Sequence, residues 1–180
     1  MKISFKISEE NYLDFQLYLA SESAIVIQKK KWTRKIIPLI YLSIAVVMFF
    51  LEKLFLFACF GIIGNLWYFL YPWIEEKNTR KKYREIITST FQDKINNDIT
   101  LENDTENFIY TTRGNSTKVA IKSITEIIQL KTILIIKTNT NQAFVIPNQA
   151  LKNLESHWIE FQRISSFYKI PFSKKLNWEW

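Results

Sequence analysis

Two uncharged apolar stretches, Ile36 to Leu51 and Leu54 to Ile74, are separated only by Glu52 and Lys53. One helix through both would be about 58 Å long at ~1.5 Å per residue, roughly twice the hydrocarbon core of a bilayer, and would leave both charges at its centre. Two antiparallel spans turning at Glu52 and Lys53 remove both conflicts, so the sequence predicts a membrane hairpin. Basic clusters stand outside both ends of the pair: Lys29, Lys30, Lys31, Arg34 and Lys35 before it, and Lys77, Arg80, Lys81, Lys82 and Arg84 after it. The positive-inside bias then places both termini in the cytoplasm. Trp32 at one end, and Trp67, Tyr68, Tyr71 and Trp73 at the other, are expected to form interfacial aromatic belts. The first run is short for a bilayer, and a helix start near Trp32, with Pro38 in the early turns where proline is tolerated, completes it. The mixed polar segment before it and the lack of a small-residue cleavage pattern after it argue against a signal peptide.

A formal charge of +7 and a pI near 9.4 raise the question of nucleic acid. From Asn96 onward, however, ten Lys/Arg face eight Asp/Glu, so most of the excess sits in the two clusters beside the hairpin. Topology and attraction to anionic headgroups, about 1 kcal/mol per basic residue near the surface, account for it. Membrane lipids are therefore the expected partners, together with a protein partner or a second copy of the chain, and nucleic acid is not. One Cys and one His, Cys59 and His157, cannot build a disulfide framework or a Cys/His metal site. Cys59 reads as a small packing residue of the second span and His157 as a partly exposed helix residue. With only Gly61, Gly64 and Gly114, neither a Walker A loop nor a dinucleotide fingerprint can be written, and no cofactor is expected. Ala58, Gly61 and Gly64 instead offer a small-residue face for close helix packing, to which Ser43 or Asn65 would add an interhelical hydrogen bond.

The flanking segments are polar and patterned. Ile3, Phe5 and Ile7 alternate with polar residues as a half-buried strand, and Ser8 before Glu9 and Glu10 reads as a helix cap. The helix that follows would bury a Tyr12, Phe15, Leu19 face against protein, its acidic residues being repelled by anionic lipid. Glu75 to roughly Asp93 continues the second helix beyond the membrane, with Tyr83, Ile86, Ile87 and Phe91 on a helical repeat. Short β-rich runs then follow at 99–101, 108–112, 118–121, 124–130, 133–137 and 143–146, with turns at 103–104, 113–116 and 138–141. A helix after Pro147 carries Leu151, Leu154, Trp158, Phe161 and Ile164 or Tyr168 on one face, with Trp158 expected as a large buried aromatic, and ends before Pro171. The predicted organisation is a cytoplasmic strand and helix (1–31), the hairpin (32–76), a juxtamembrane helix (77–95), a sheet domain (96–172) and a tail (173–180). The fold class is a membrane α-helical hairpin plus a cytoplasmic α+β domain, an antiparallel pleckstrin-homology-like barrel closed by a C-terminal helix.

Four features together resemble the YcxB-like bacterial membrane proteins: the segment Phe5 to Phe15, the charge-flanked hairpin, Val119 to Ile127, and Ala143 to Pro147. This chain departs from that pattern at Ile121 and Ser123, where a tryptophan and an aspartate are expected. The resemblance implies two transmembrane helices and a pleckstrin-homology-like domain facing the cytoplasm of a bacterial cell, in its inner membrane. The expected function is a membrane-anchored binding or regulatory module and not an enzyme. The exposed strand and loop residues Arg113, Lys118, Lys122 and Lys131 are the candidate recognition groups. A protective or immunity protein against a membrane-active peptide is the alternative, and a small transporter or enzyme ranks behind both, since no acid/base pair and no charge within a span mark such a site.

Overall fold

The computed structural model describes residues 2–91, 95–104, 106–113, 115–140, 142–152 and 155–180. The chain forms two compact units, one made of residues 1–16 and 84–180 and the other of residues 17–83.

The first unit is built of sheet. Strand β1 (Lys2–Lys6) buries Ile3 and Phe5 and leads through Ser8 into helix α1 (Glu9–Glu22). The cap is reciprocal: the Asn11 N–H donates to Ser8 Oγ at 3.2 Å and the Ser8 N–H donates to Asn11 Oδ1 at 3.3 Å. This is a capping box with asparagine in the third helical position. The buried side of α1 differs from the expected one. Leu13, Phe15, Leu17, Tyr18 and Ala20 are buried, whereas Leu19 is exposed and Tyr12 is half-buried.

Strands β2 (Asp98–Asn103), β3 (Asn107–Thr112) and β4 (Asn115–Ala120) complete an antiparallel sheet in the order β1-β2-β3-β4. β1 is therefore part of the C-terminal fold and not of a separate N-terminal arm. Its charges lie directly opposite partners on β2, Lys2 facing Glu102 at 2.6 Å and Lys6 facing Asp98 at 3.5 Å. Strands β5 (Ile124–Gln129), β6 (Ile133–Thr138) and β7 (Ala143–Pro147) form a second antiparallel meander. Helices α4 (Asn148–Lys152) and α5 (Glu155–Tyr168) follow, and strand β8 (Phe172–Lys174) returns to run parallel to β5. Leu154 and the turn residues Gly114 and Asn141 lie outside the described residues, as does Asp93.

Among the described residues the expected closed barrel is not formed. A 3-10 turn at Ile121–Ser123 separates β4 from β5, and β8 occupies the edge of β5 opposite β6, so the second sheet reads β7-β6-β5-β8. Ser173 and Lys174, expected to belong to a tail, supply two of the three residues of β8. The core includes Leu101, Phe108, Val119, Ile124 and Ile136, which line one small internal space. Phe161 of α5 stacks on Phe108 at 5.9 Å and is fully buried, while Trp158, expected as the buried aromatic, is half-buried. Asn148 joins the start of α4 to the β5–β6 turn through Nδ2 bonds to the Leu130 and Lys131 carbonyls at 2.8 and 3.1 Å. Thr132 of the same turn donates to Asp14 Oδ2 of α1 at 2.6 Å.

The second unit contains the apolar helices α2 (Ala24–Phe50) and α3 (Leu54–Thr90), the latter continuing into the first unit. Both are long and apolar enough to cross a membrane, and only 11% of each apolar window is buried. They run antiparallel, with Lys30 near Glu75 at one end and Phe49 against Phe57 at the other. The turn closes as a Schellman motif: the Glu52 N–H donates to the Phe49 carbonyl and the Lys53 N–H to the Met48 carbonyl, with Glu52 at φ 59°. Of the two hairpin glycines, Gly64 makes a close approach and Gly61 does not. A Cβ at Gly64 would meet Tyr41 Cβ at 3.1 Å and the Pro38 carbonyl at 3.3 Å, whereas one at Gly61 would meet nothing within 4 Å. Ser43 and Asn65 do not bridge the helices, because each donates to a carbonyl of its own helix, Leu39 and Gly61 respectively, both at 2.8 Å.

Candidate functional site

The ten basic residues flanking the hairpin do not form one uniform patch. On α2, Lys30 pairs with Glu75 at 3.0 Å, and the Arg34 guanidinium lies 4.4 Å from the centre of the Tyr68 ring. On α3, Lys77 lies over Trp73 at 5.6 Å and Arg80 pairs with Glu76 at 3.0 Å. Arg84 is held by Glu9 and Glu10, the two acids in the first turn of α1. Lys29, Lys31, Lys35 and Lys82 are exposed and make no ion pair or ring contact among the described residues, and Lys81 has a partner of its own. Of the expected aromatic belt, Trp32, Tyr68 and Trp73 are exposed, whereas Tyr71 is turned inward and buried.

Three of the four candidate recognition residues gather along one sheet edge. Arg113 occupies the β3–β4 turn at φ 44° and donates from Nε to Asn97 Oδ1 at 3.0 Å. Lys118 lies within β4, opposite Ile109, and Lys122 lies in the 3-10 turn just after the strand. β4 is the last strand of its sheet, and of its six residues only Val119 is buried. Its outer row of backbone N–H and C=O groups has no neighbouring strand among the described residues. Lys131 stands apart in the β5–β6 turn, with its carbonyl bonded to Asn148.

His157, expected to be partly exposed, is buried, and its Nε2 has no hydrogen-bond partner among the described residues. No group of three His, Cys, Asp or Glu side chains among the described residues is placed to hold a metal ion. Burial pushes the Tyr110 hydroxyl up from 10.0 to about 12, with Tyr12 nearby adding to the shift, and burial raises Tyr12 as well. These rings belong to an aromatic group in which Tyr12 lies 5.0 Å from Phe91 and Tyr110 lies 5.1 Å from Phe144. The group had no signature in the sequence, because its members come from four distant segments.

Residues 104–157 match the family model of YcxB-like proteins. The match runs from β3 through β7 into α5, and takes in Val119 to Ile127, Ala143 to Pro147 and all four candidate recognition residues. The hairpin and the segment Phe5 to Phe15 lie outside it. No curated protein and no solved structure matches the chain.

Proposed function

We propose that this chain is an integral membrane protein of the bacterial inner membrane that holds a non-catalytic recognition domain at the cytoplasmic surface, where the β4 edge takes an extended segment of a partner protein. The observation that carries the proposal is the place of the hairpin in the fold: it is inserted between β1 and β2, and β1 is paired with β2 along its whole length. A domain built on both sides of a membrane insertion is tethered to the bilayer at two points. The orientation rests on the basic clusters, which would place both termini in the cytoplasm.

With the helices between β1 and β2 set aside, four antiparallel strands, then three, then a helical segment follow the order expected of a pleckstrin-homology-like domain, with β8 added to the second sheet, and that likeness supports recognition over catalysis. Adding a strand to an exposed edge draws affinity from main-chain hydrogen bonds and specificity from alternate side chains. Arg113, Lys118 and Lys122 along the edge suit an acidic segment. The same lysines would keep that edge from pairing with an unrelated sheet.

The test is site-specific photo-cross-linking in membranes with the full chain. A photoreactive residue at Lys118 or Ser116 should give a discrete adduct, and one at Lys174, on the other sheet, should not. Equal adducts at both sites, or none at the β4 positions, would remove β4 as the recognition edge.

A further inference from the structure

The first turns of α2 have two different basic faces. Lys30 and Arg34 are turned toward α3 and are engaged by Glu75 and Tyr68. Ile27, Gln28, Lys31, Trp32, Lys35 and Ile36 fall on the other side at the three- and four-residue spacing of a single helix face. They line an open, solvent-facing groove along this one helix.

Two features of this groove point to a ligand. Lys31 and Lys35 stand one turn apart, both exposed and both without an ion pair among the described residues. Like charges at that spacing disfavour a helix, and an anion seated between them reverses the sign of the interaction. The groove also changes character along its length. It passes from the Gln28 amide and the two ammonium groups to Ile36, the first residue of the uncharged run. Trp32, 59% exposed, lines the same face, and an exposed indole suits a membrane interface. A basic end joined to an apolar end at the edge of the span fits a molecule with a phosphate head and an acyl tail better than it fits free phosphate.

We propose that this face of α2 is a seat for an anionic glycerophospholipid, with the phosphate between Lys31 and Lys35, Gln28 as an added donor, and an acyl chain running past Ile36. The proposal rests on the reading that α2 spans a bilayer. It adds that the lipid is held at one face and not by the diffuse charge of the whole cluster. A topology signal alone requires only that the charges lie on one side of the membrane, and is indifferent to which helix face carries them.

The experiment is native mass spectrometry of the full chain in mild detergent, with phosphatidylglycerol and phosphatidylcholine as probes. The double variant Lys31→Gln/Lys35→Gln is compared with Lys29→Gln/Lys82→Gln, which removes the same charge from exposed lysines that do not line the groove. Glutamine keeps the helix propensity of lysine. The first pair should weaken phosphatidylglycerol binding about tenfold or more and leave phosphatidylcholine unchanged, while the second changes either by less than about twofold. Lys31→Arg/Lys35→Arg should retain phosphatidylglycerol binding, which separates loss of the seat from loss of the fold. Equal weakening by both glutamine pairs, or none by the first, would overturn the seat. The bilayer reading is tested separately by an alkaline carbonate wash of membranes: release of the wild-type chain would overturn that reading, whereas a retained chain without lipid preference overturns only the seat.

Discussion

The sheet unit and the hairpin place similar apolar residues in opposite surroundings. In β5 and β6, Ile127, Ile128 and Ile133 to Ile136 are at most 1% exposed, while in the hairpin Phe50, Phe55 and Phe69 are 78%, 79% and 73% exposed. Large apolar side chains left outside in long continuous bands are unusual for a soluble monomer, whose largest apolar patch is typically a few hundred Å². The contrast teaches that apolar content does not by itself locate a core. The sheet unit supplies its own apolar partner by facing side chains inward, whereas two helices have too little mutual surface to do so. In the proposed reading the bilayer covers the rest, and packing between α2 and α3 depends on close approach at a few points.

The largest effect is expected where the sheet unit depends on one buried ring. Phe161→Ala should destabilise that unit by about 3–5 kcal/mol, the usual cost of truncating a fully buried large aromatic. Trp158→Ala, at a half-buried position, should cost less. Denaturant unfolding of the full chain in detergent reads the difference, and the full chain is required because β1 precedes the hairpin. A larger loss at Trp158 would place the core on the other side of α5.

In the hairpin the sensitive point is a backbone approach. Gly64→Leu should push α2 and α3 apart at Tyr41 and Pro38, costing about 1–3 kcal/mol as an overpacked contact. Gly61→Leu, facing open space, should be tolerated. Cross-linking between cysteines on the two helices, in a Cys59→Ser background, distinguishes them. Equal sensitivity at the two glycines would mean that the small-residue face packs as a whole.

A smaller effect separates the units by pH. Tyr110 is raised from 10.0 to about 12 and Tyr12 is raised too, so both phenols hold their protons more tightly when folded than when unfolded. The associated stability is whole below the unfolded value and is lost as pH climbs toward the folded one. The sheet unit should therefore loosen between about pH 10 and 12, and Tyr110→Phe should flatten that dependence. An unchanged slope in the variant would mean that Tyr110 meets solvent.

The parts of the fold legible in the sequence are those with local signals. All six β runs from 99 to 146 became strands, because alternation and polar turns mark them, although Asn115 and Ser116, expected in a turn, open β4, and Ile121, expected in the strand, lies in the 3-10 turn. The Ser8 cap and the Glu52-Lys53 turn were equally local. The insertion of the hairpin between paired strands was not legible, since Ile3 and its partner Leu101 share no local pattern. β8 was missed because it is three residues long and pairs in parallel after a long crossover. The buried side of α1 was misread because Tyr12, Leu13, Phe15, Leu17 and Tyr18 are spread over more than one stripe, so the period alone does not choose among them. At the candidate site, the sequence supplied the basic residues but not their sorting. Which basic residues are engaged depends on Glu75, Glu76, Glu9 and Glu10, and two of these reach their partner, Arg84, from a distant segment.

The central claim is that the exposed apolar hairpin crosses a bilayer and leaves the sheet unit on the cytoplasmic side. Single cysteines at Lys2, Lys53 and Trp180, in a Cys59→Ser background, test it most directly with a membrane-impermeant thiol reagent on intact cells. The account predicts labelling at Lys53 alone, with Lys2 and Trp180 labelled only after permeabilisation. Labelling of Lys2 or Trp180 in intact cells, or protection of all three positions, would contradict it.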